Sequence, residues 1–233
     1  GARQNKVEIV GLLTRIPRDL SLDWWKSELL KGLIRGTRVS ASTLFSEKDV
    51  QKQILEIFMD ASAGLRQVAL ELVQLAGFPE DTLTRQLLKQ AAIVAANPNL
   101  EPKLRNESIQ LLGISKKTEY LALFGELIKP TVPESIQVSA IQAIGSVGQE
   151  FNWEKLILGW KSFTPTVRNE AAKVFLKSSA GIDALLNALD EGVIDPLSLA
   201  HRHKRRLFRN KDPLVRKRGQ TLLDELEKSS QMV

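Results

Sequence analysis

Apolar residues recur along this chain at offsets 0, +4, +5, +7 and +8, a spacing that places five side chains on one face of an α-helix. The clearest copy lies in residues 164–178, TPTVRNEAAKVFLKS, with Val167, Ala171, Ala172, Val174 and Phe175 on that face. Leu65, Leu104, Ile136 and Val215 start four further copies. The side chain at offset +4 is always small: Ala69, Ser108, Ala140, Ala171 and Gly219. A neighbouring helix can approach closely at such a position. The residue after the first anchor is Arg66, Arg105, Gln137, Arg168 or Arg216, and it begins the polar side. Gly113 and Gly145 stand at offset +9, where they are expected to end their helices in the left-handed conformation.

Successive anchors are 39, 32, 31 and 48 residues apart. A two-helix unit in helical-repeat families takes about 30 to 47 residues. Each of the first three gaps therefore holds one hairpin, and the last has room for an extra helix. Further amphipathic runs fill the gaps at 83–96, 119–129, 153–163 and 182–190. All nine prolines fall between runs or at their starts, where proline costs a helix least.

These residues resemble the HEAT repeat, whose second helix carries a turn Pro or Asp, then Val-Arg, then a small packing residue. TPTVRNEAA and KDPLVRKRG match that pattern well, while VPESIQVSA lacks the Arg. The resemblance covers residues 50–226. It implies an all-α fold, a right-handed α-solenoid of about five to six HEAT-like hairpins spanning residues 1–233 as a single domain. Residues 196–223 form its basic C-terminal repeat. The competing reading is a set of unrelated amphipathic helices in one globular bundle.

Taken in order, residues 7–16 read as the second helix of a repeat whose first helix is missing. Residues 22–37 read as a helix with Asp23 in its first turn and Arg35 near its end, as the helix dipole favours. Trp24 and Trp25 diverge by about 100° and cannot both face inward. The expectation is partial burial at the end of the stack, with cover for a partner domain as the alternative. Residues 39–45 read as a loop, and Ser46 with Asp49 as the capped start of a helix at 47–60. Gly77-Phe78-Pro79 breaks the helix that follows, and Thr82 is expected to cap the next one, at 83–96. Residues 118–145 form the most compact repeat, turning at 129–134. Trp153 and Trp160 are seven apart on one helical face and read as core. Gly192 stops the helix at 182–191, and Asp195-Pro196 starts another at 198–208, where Ala200, His203 and Leu207 share the inward face.

Charge alters this picture in one place. The net charge is +6, but residues 201–218 hold nine Lys/Arg against a single Asp, a local net of +8. The remainder carries 24 basic and 26 acidic residues, a net of −2. The basic character thus belongs to one segment rather than to the fold. The chain has no cysteine, which excludes disulfides, thiolate zinc sites and covalent haem attachment within it. No apolar run approaches the ~18 residues of a membrane span. The chain opens GARQNKVEIV without a methionine, so the expectation is a processed or excised piece of a longer protein, with Gly1 as a cloning scar.

The segment ALLNALDEGVIDPLSLAHRHKRRLFRNKDPLVRKRGQTLL, residues 184–223, is similar to the helical-repeat part of planctomycete-type multidomain haem-binding proteins. The matching positions are Glu191-Gly192-Val193, Arg205 or Arg206 with Leu207, and Asp212-Pro213-Leu214-Val215-Arg216. In that family a sugar-dehydrogenase-like β-propeller precedes the repeats and a cytochrome c domain with a CxxCH motif follows them. The resemblance implies that this chain is the middle piece. Redox chemistry would belong to its neighbours, and the location would be periplasmic or at the cell envelope.

No glycine-rich phosphate loop, nucleophile elbow or zinc spacing is present, so no catalytic residue, cofactor site or metal site is assigned. His201 has no ligand partner at a suitable spacing. The leading reading is a non-catalytic scaffold or protein-interaction module whose partners are flanking domains or other proteins. The second reading is phosphate-backbone contact with nucleic acid through Arg202, Arg205, Arg206, Arg209, Lys211, Arg216, Lys217 and Arg218. Only Phe208 interleaves with these cations, which disfavours base stacking.

Overall fold

The computed structural model describes residues 11, 13, 23–37, 45, 47–60, 62–148 and 153–230. The described residues are helical, with no strand among them. The readings at 7–16, 39–45 and Ser46 fall, apart from Gly11, Leu13 and Phe45, outside the described residues. The chain divides into two compact units, Gly1–Ser115 and Lys116–Val233.

The first unit contains α1 (Asp23–Thr37), α2 (Lys48–Asp60), α3 (Ala63–Ala76), α4 (Thr82–Ala96) and α5 (Pro102–Ser115). Helix α2 packs on α3 and α4 on α5, making two hairpins, and the second helices α3 and α5 pack on each other. Helix α1 lies against α3. The second unit contains α6 (Leu121–Leu127), α7 (Glu134–Val147), α8 (Glu154–Gly159), α9 (Pro165–Phe175), α10 (Ser179–Asp190), α11 (His201–Phe208) and α12 (Pro213–Ser230). Here α6 pairs with α7, α7 packs on α9, and α11 pairs with α12. The extra helix expected in the longest gap is α10, which packs against both α9 and α12.

The shared face of the repeat is the core of both units. The offset +4 residues Ala69, Ser108, Ala140, Ala171 and Gly219 are all buried. Anchors Leu65, Ile136, Val167 and Val215 are buried too, whereas Leu104 is half-buried and Gln220, at offset +5, is exposed. Burying each such aliphatic side chain stabilises by roughly 1.5 to 3 kcal/mol.

The residue after the anchor has a recurring task. Arg105 Nε donates to the Ala95 carbonyl at 3.0 Å. Gln137 Nε2 donates to Lys129 O at 2.8 Å and Val132 O at 2.9 Å. Arg168 reaches Trp160 O and Lys161 O, both at 2.9 Å. Arg216 reaches Asn210 O at 2.7 Å and Lys211 O at 2.9 Å. A helix end leaves its last carbonyls without intrahelical partners. In these four hairpins the second helix satisfies carbonyls at the end of the first helix or in the connecting turn, whereas Arg66 on α3 pairs with Glu107 on α5.

The structure corrects some local expectations. Gly113 and Gly145 do not end their helices. Both lie inside, in α5 and α7, and the positive-φ residues come later, at Lys116 (φ 53°) and Gly148 (φ 103°). Gly145 serves close packing instead: a Cβ there would stand 2.7 Å from Val174 Cγ2 on α9. The cap of α4 is Asp81 rather than Thr82. Asp81 Oδ1 accepts from the Thr84 amide at 2.7 Å, and that bond holds its carboxyl below the usual range. A charged acceptor at an N-terminus gains from the helix dipole as well as from the bond. The helix expected at 198–208 starts at His201, because Pro196–Ser198 closes its own 3-10 turn and Ala200 is extended and exposed.

The aromatic readings fare better. Trp160 is 2 % exposed, and Trp153 is half-buried. Their rings lie 6.5 and 5.4 Å from Phe175. Trp24 is 72 % exposed while Trp25 is half-buried, so the two do diverge.

Candidate functional site

The basic segment folds as the last hairpin of the second unit. Gly192, at φ 69°, ends α10, and the Ile194 amide returns to Ala188 O at 3.0 Å. Asp195 accepts from Leu197 N at 2.8 Å to start the 3-10 turn, and Trp160 Nε1 donates to Ser198 Oγ at 2.8 Å. Helix α11 then buries only His203 and Leu207, four residues apart. Every other position of a sequence reading HRHKRRLF is consequently exposed or half-buried. At its end the Asp212 amide donates to Asn210 Oδ1 at 3.0 Å, and Asp212 Oδ1 accepts from Leu214 N at 2.8 Å to open α12.

This geometry sorts the eight nominated cations. Arg202, Arg205, Arg206, Arg209 and Lys211 line one cleft of about 740 Å³, together with Asn210 and Lys177. No carboxylate and no aromatic ring lines it. Arg216 is occupied with the carbonyls of its own turn. Arg218 is tied to α10, through Asn187 Oδ1 at 2.9 Å and through an ion pair with Asp190. Lys217 is exposed and outside the cleft.

Two of the cleft arginines are held in place. Arg202 Nε donates to Asn169 Oδ1 on α9 at 3.1 Å, and Arg206 Nη2 donates to Leu176 O at 3.3 Å. The same Asn169 oxygen lies 2.7 Å from His203 Nε2. An amide oxygen only accepts, so this contact is a hydrogen bond in the tautomer of His203 with its proton on Nε2. Its Nδ1 is buried without a partner among the described residues. Burial pushes the His203 pKa below its ordinary 6.5, and the charges of Arg202, Arg206 and Lys173 push the same way, against Glu170. His203 is thus a packed, neutral residue behind the cleft, while His201 is exposed.

Sequence reasoning missed Lys177, Asn169 and Asn210. Lys177 lies 24 residues upstream of the basic run, and folding brings it in because α9 ends beside α11. Nothing in the local pattern distinguishes Asn169 from any other polar residue of α9. A turn asparagine before Asp-Pro, as at Asn210, is a readable signal.

The first unit has a different concavity, a recess of about 550 Å³ with walls that include Phe58, Met59, Leu83, Leu87 and Leu111. Arg66 and Glu107 form a 2.9 Å ion pair in its wall. Glu107 is 3 % exposed, and its Oε1 has no partner among the described residues. Because that oxygen is itself covered, the pair reads as part of the packing between α3 and α5.

Among the described residues, no group of three His, Asp or Glu is placed to hold a metal ion, and no helix is long and apolar enough to cross a membrane. Glu170 is engaged by Lys173 at 2.6 Å and Gln142 at 3.1 Å. What the arrangement offers chemically is a concave set of cations. No protein-family model, curated protein or solved structure matches the chain.

Proposed function

We propose that this chain is a non-catalytic HEAT-like scaffold, a right-handed α-solenoid that holds flanking domains or partner proteins at a set spacing. The observation that carries this reading is the clamp after four of the five anchors, where Arg105, Gln137, Arg168 and Arg216 bond carbonyls of the preceding helix end or turn. A device repeated at one offset is what a stack of like hairpins needs, since each hairpin must present the same face to the next. The similarity of residues 184–223 to the multidomain haem-binding proteins sharpens the reading: the scaffold would link a sugar-dehydrogenase-like propeller to a cytochrome c domain. Reading the parent gene tests the link, and a downstream frame without CxxCH removes it. Small-angle scattering tests the stack. A radius of gyration near ~17 Å, that of a compact globule of this length, would rule out an extended solenoid.

Phosphate-backbone contact with nucleic acid is the second reading. It is favoured by the convergence of Arg202, Arg205, Arg206, Arg209 and Lys211 on one cleft free of carboxylates. Retention on duplex DNA that falls steeply with added salt supports it. Absence of binding at low salt removes it.

A further inference from the structure

We infer that the cleft of the last hairpin is a site for a compact anion carrying several adjacent phosphates, of the size of a linear triphosphate; this rests on the reading that the basic repeat meets phosphate, and narrows it. Lys177, Arg202, Arg205, Arg206, Arg209 and Lys211 all face one volume of about 740 Å³. That is the size of a small-molecule site, for which roughly 300 to 1,000 Å³ is usual. With no carboxylate in the wall, the cations repel one another when the cleft is empty, and an anion relieves that repulsion.

Several donors are already aimed. Arg202 and Arg206 each spend part of the guanidinium on Asn169 or Leu176 O and keep further N–H groups. Arg205 and Arg209 are exposed and make no side-chain bond among the described residues, so each has a whole fork for a phosphate. The Asn210 oxygen is taken by the Asp212 amide, which leaves its NH2 as a neutral donor.

Two features favour a compact ligand over a nucleic acid. The cations on α12 that would extend a basic track beyond the cleft are turned to other work: Arg216 bonds the carbonyls of its own turn and Arg218 pairs with Asp190. The wall also has no aromatic ring to stack a base, so the cleft recognises phosphate and ignores what is attached to it.

The test is calorimetric titration of the whole chain with sodium tripolyphosphate, sodium orthophosphate and a short DNA duplex at low salt. Tripolyphosphate is expected to bind at least about tenfold more tightly than orthophosphate, because several charge-assisted bonds form at once. In R205Q/R209Q that affinity is expected to fall roughly tenfold or more, while K217Q stays within about twofold. Circular dichroism confirms that each variant folds. Arginine Nε–H shifts of the unaltered protein on titration give a mutation-free readout, and the cleft arginines should move together. DNA binding without tripolyphosphate binding overturns this site and leaves the nucleic-acid reading standing. Binding of neither overturns both. Tripolyphosphate affinity lost equally in K217Q overturns the placement in the cleft.

Discussion

The two units handle the same repeat differently. In residues 1–115 the notable electrostatic feature is buried: Arg66 and Glu107 pair with only 24 % and 4 % of their side chains exposed. In residues 116–233 the charge stays at the surface, gathered around one cleft without a countercharge. Anchors, small contact residues and clamp residues are common to both units. What they share therefore serves the fold, and what differs is where function should be sought. A buried pair of this kind commits its charges to one conformation and leaves nothing for a ligand. An unneutralised cluster costs stability through self-repulsion and is retained at a site more readily than in a core.

The strongest way to break this contrast is to attack the buried pair. Arg66→Ala leaves the Glu107 carboxylate buried with neither oxygen satisfied by that partner, and is expected to cost about 3 to 5 kcal/mol in urea denaturation. Replacing both, as Arg66→Met with Glu107→Leu, should come within about 1 kcal/mol of the starting protein, because the desolvation cost goes with the charges. A large loss in the double variant would show that the pair is worth more than an apolar contact, and that the first unit is also electrostatically specialised.

The clamp sharpens the comparison further, since one repeat position can be tested in two environments. Arg105 is 4 % exposed, and its removal strands the Ala95 carbonyl in a place where water is scarce. Arg105→Ala should cost about 2 to 3 kcal/mol. Arg216 is half-buried beside the exposed Lys211, where water can replace it, so Arg216→Ala should cost only about 0.5 to 1 kcal/mol. Thermal melts of the two variants compare them directly, and equal costs would mean that burial does not set the value of the clamp.

Much of this is legible in the sequence alone. Repeat spacing, small contact positions, the extra helix and most helix ends follow from apolar periodicity and the placement of Gly and Pro. The failures are local. At Gly145 the sequence suggests a terminator where α7 and α9 need room, because the same missing side chain serves either purpose and only the neighbour, Val174, decides; Gly113 likewise lies inside its helix rather than at its end. At Thr82 the adjacent Asp81 took the cap. For the candidate site, the basic run was plain, but its division was not. Arg216 is a clamp by its register, which the sequence does show. Nothing in the sequence pairs Arg218 with Asp190, 28 residues away, or brings Lys177 to the cleft.

Overpacking tests the shared core itself. Ala140 and Ala171 are 0 % exposed at the same offset of α7 and α9, which pack together. Ala140→Leu and Ala171→Leu should each cost about 1 to 3 kcal/mol, as four-carbon side chains are forced into an interface built for a methyl group. Unchanged melting temperatures would mean that the offset does not mark a contact point.

The smallest expected effect separates the units by pH. Both histidines of the chain lie in the second unit, and His203 is the buried one. Its folded-state pKa is depressed by burial and by Arg202, Arg206 and Lys173, with Glu170 opposing. The unfolded state then binds a proton before the folded state does. The stability that His203 contributes is therefore complete above its ordinary value of 6.5 and is lost as pH falls through the lower folded pKa. Carboxylates also titrate on the acid side, so the informative quantity is the difference between the protein and His203→Gln. Urea midpoints measured from pH 7.5 down to 4.5 should converge, with the wild type losing its advantage below about pH 6.5. Tripolyphosphate in the cleft should move that loss to lower stability cost, since an anion beside Arg202 and Arg206 favours the imidazolium. A pH profile identical in His203→Gln would mean that His203 is not held neutral, and would remove the link between the buried ring and the charged cleft in front of it.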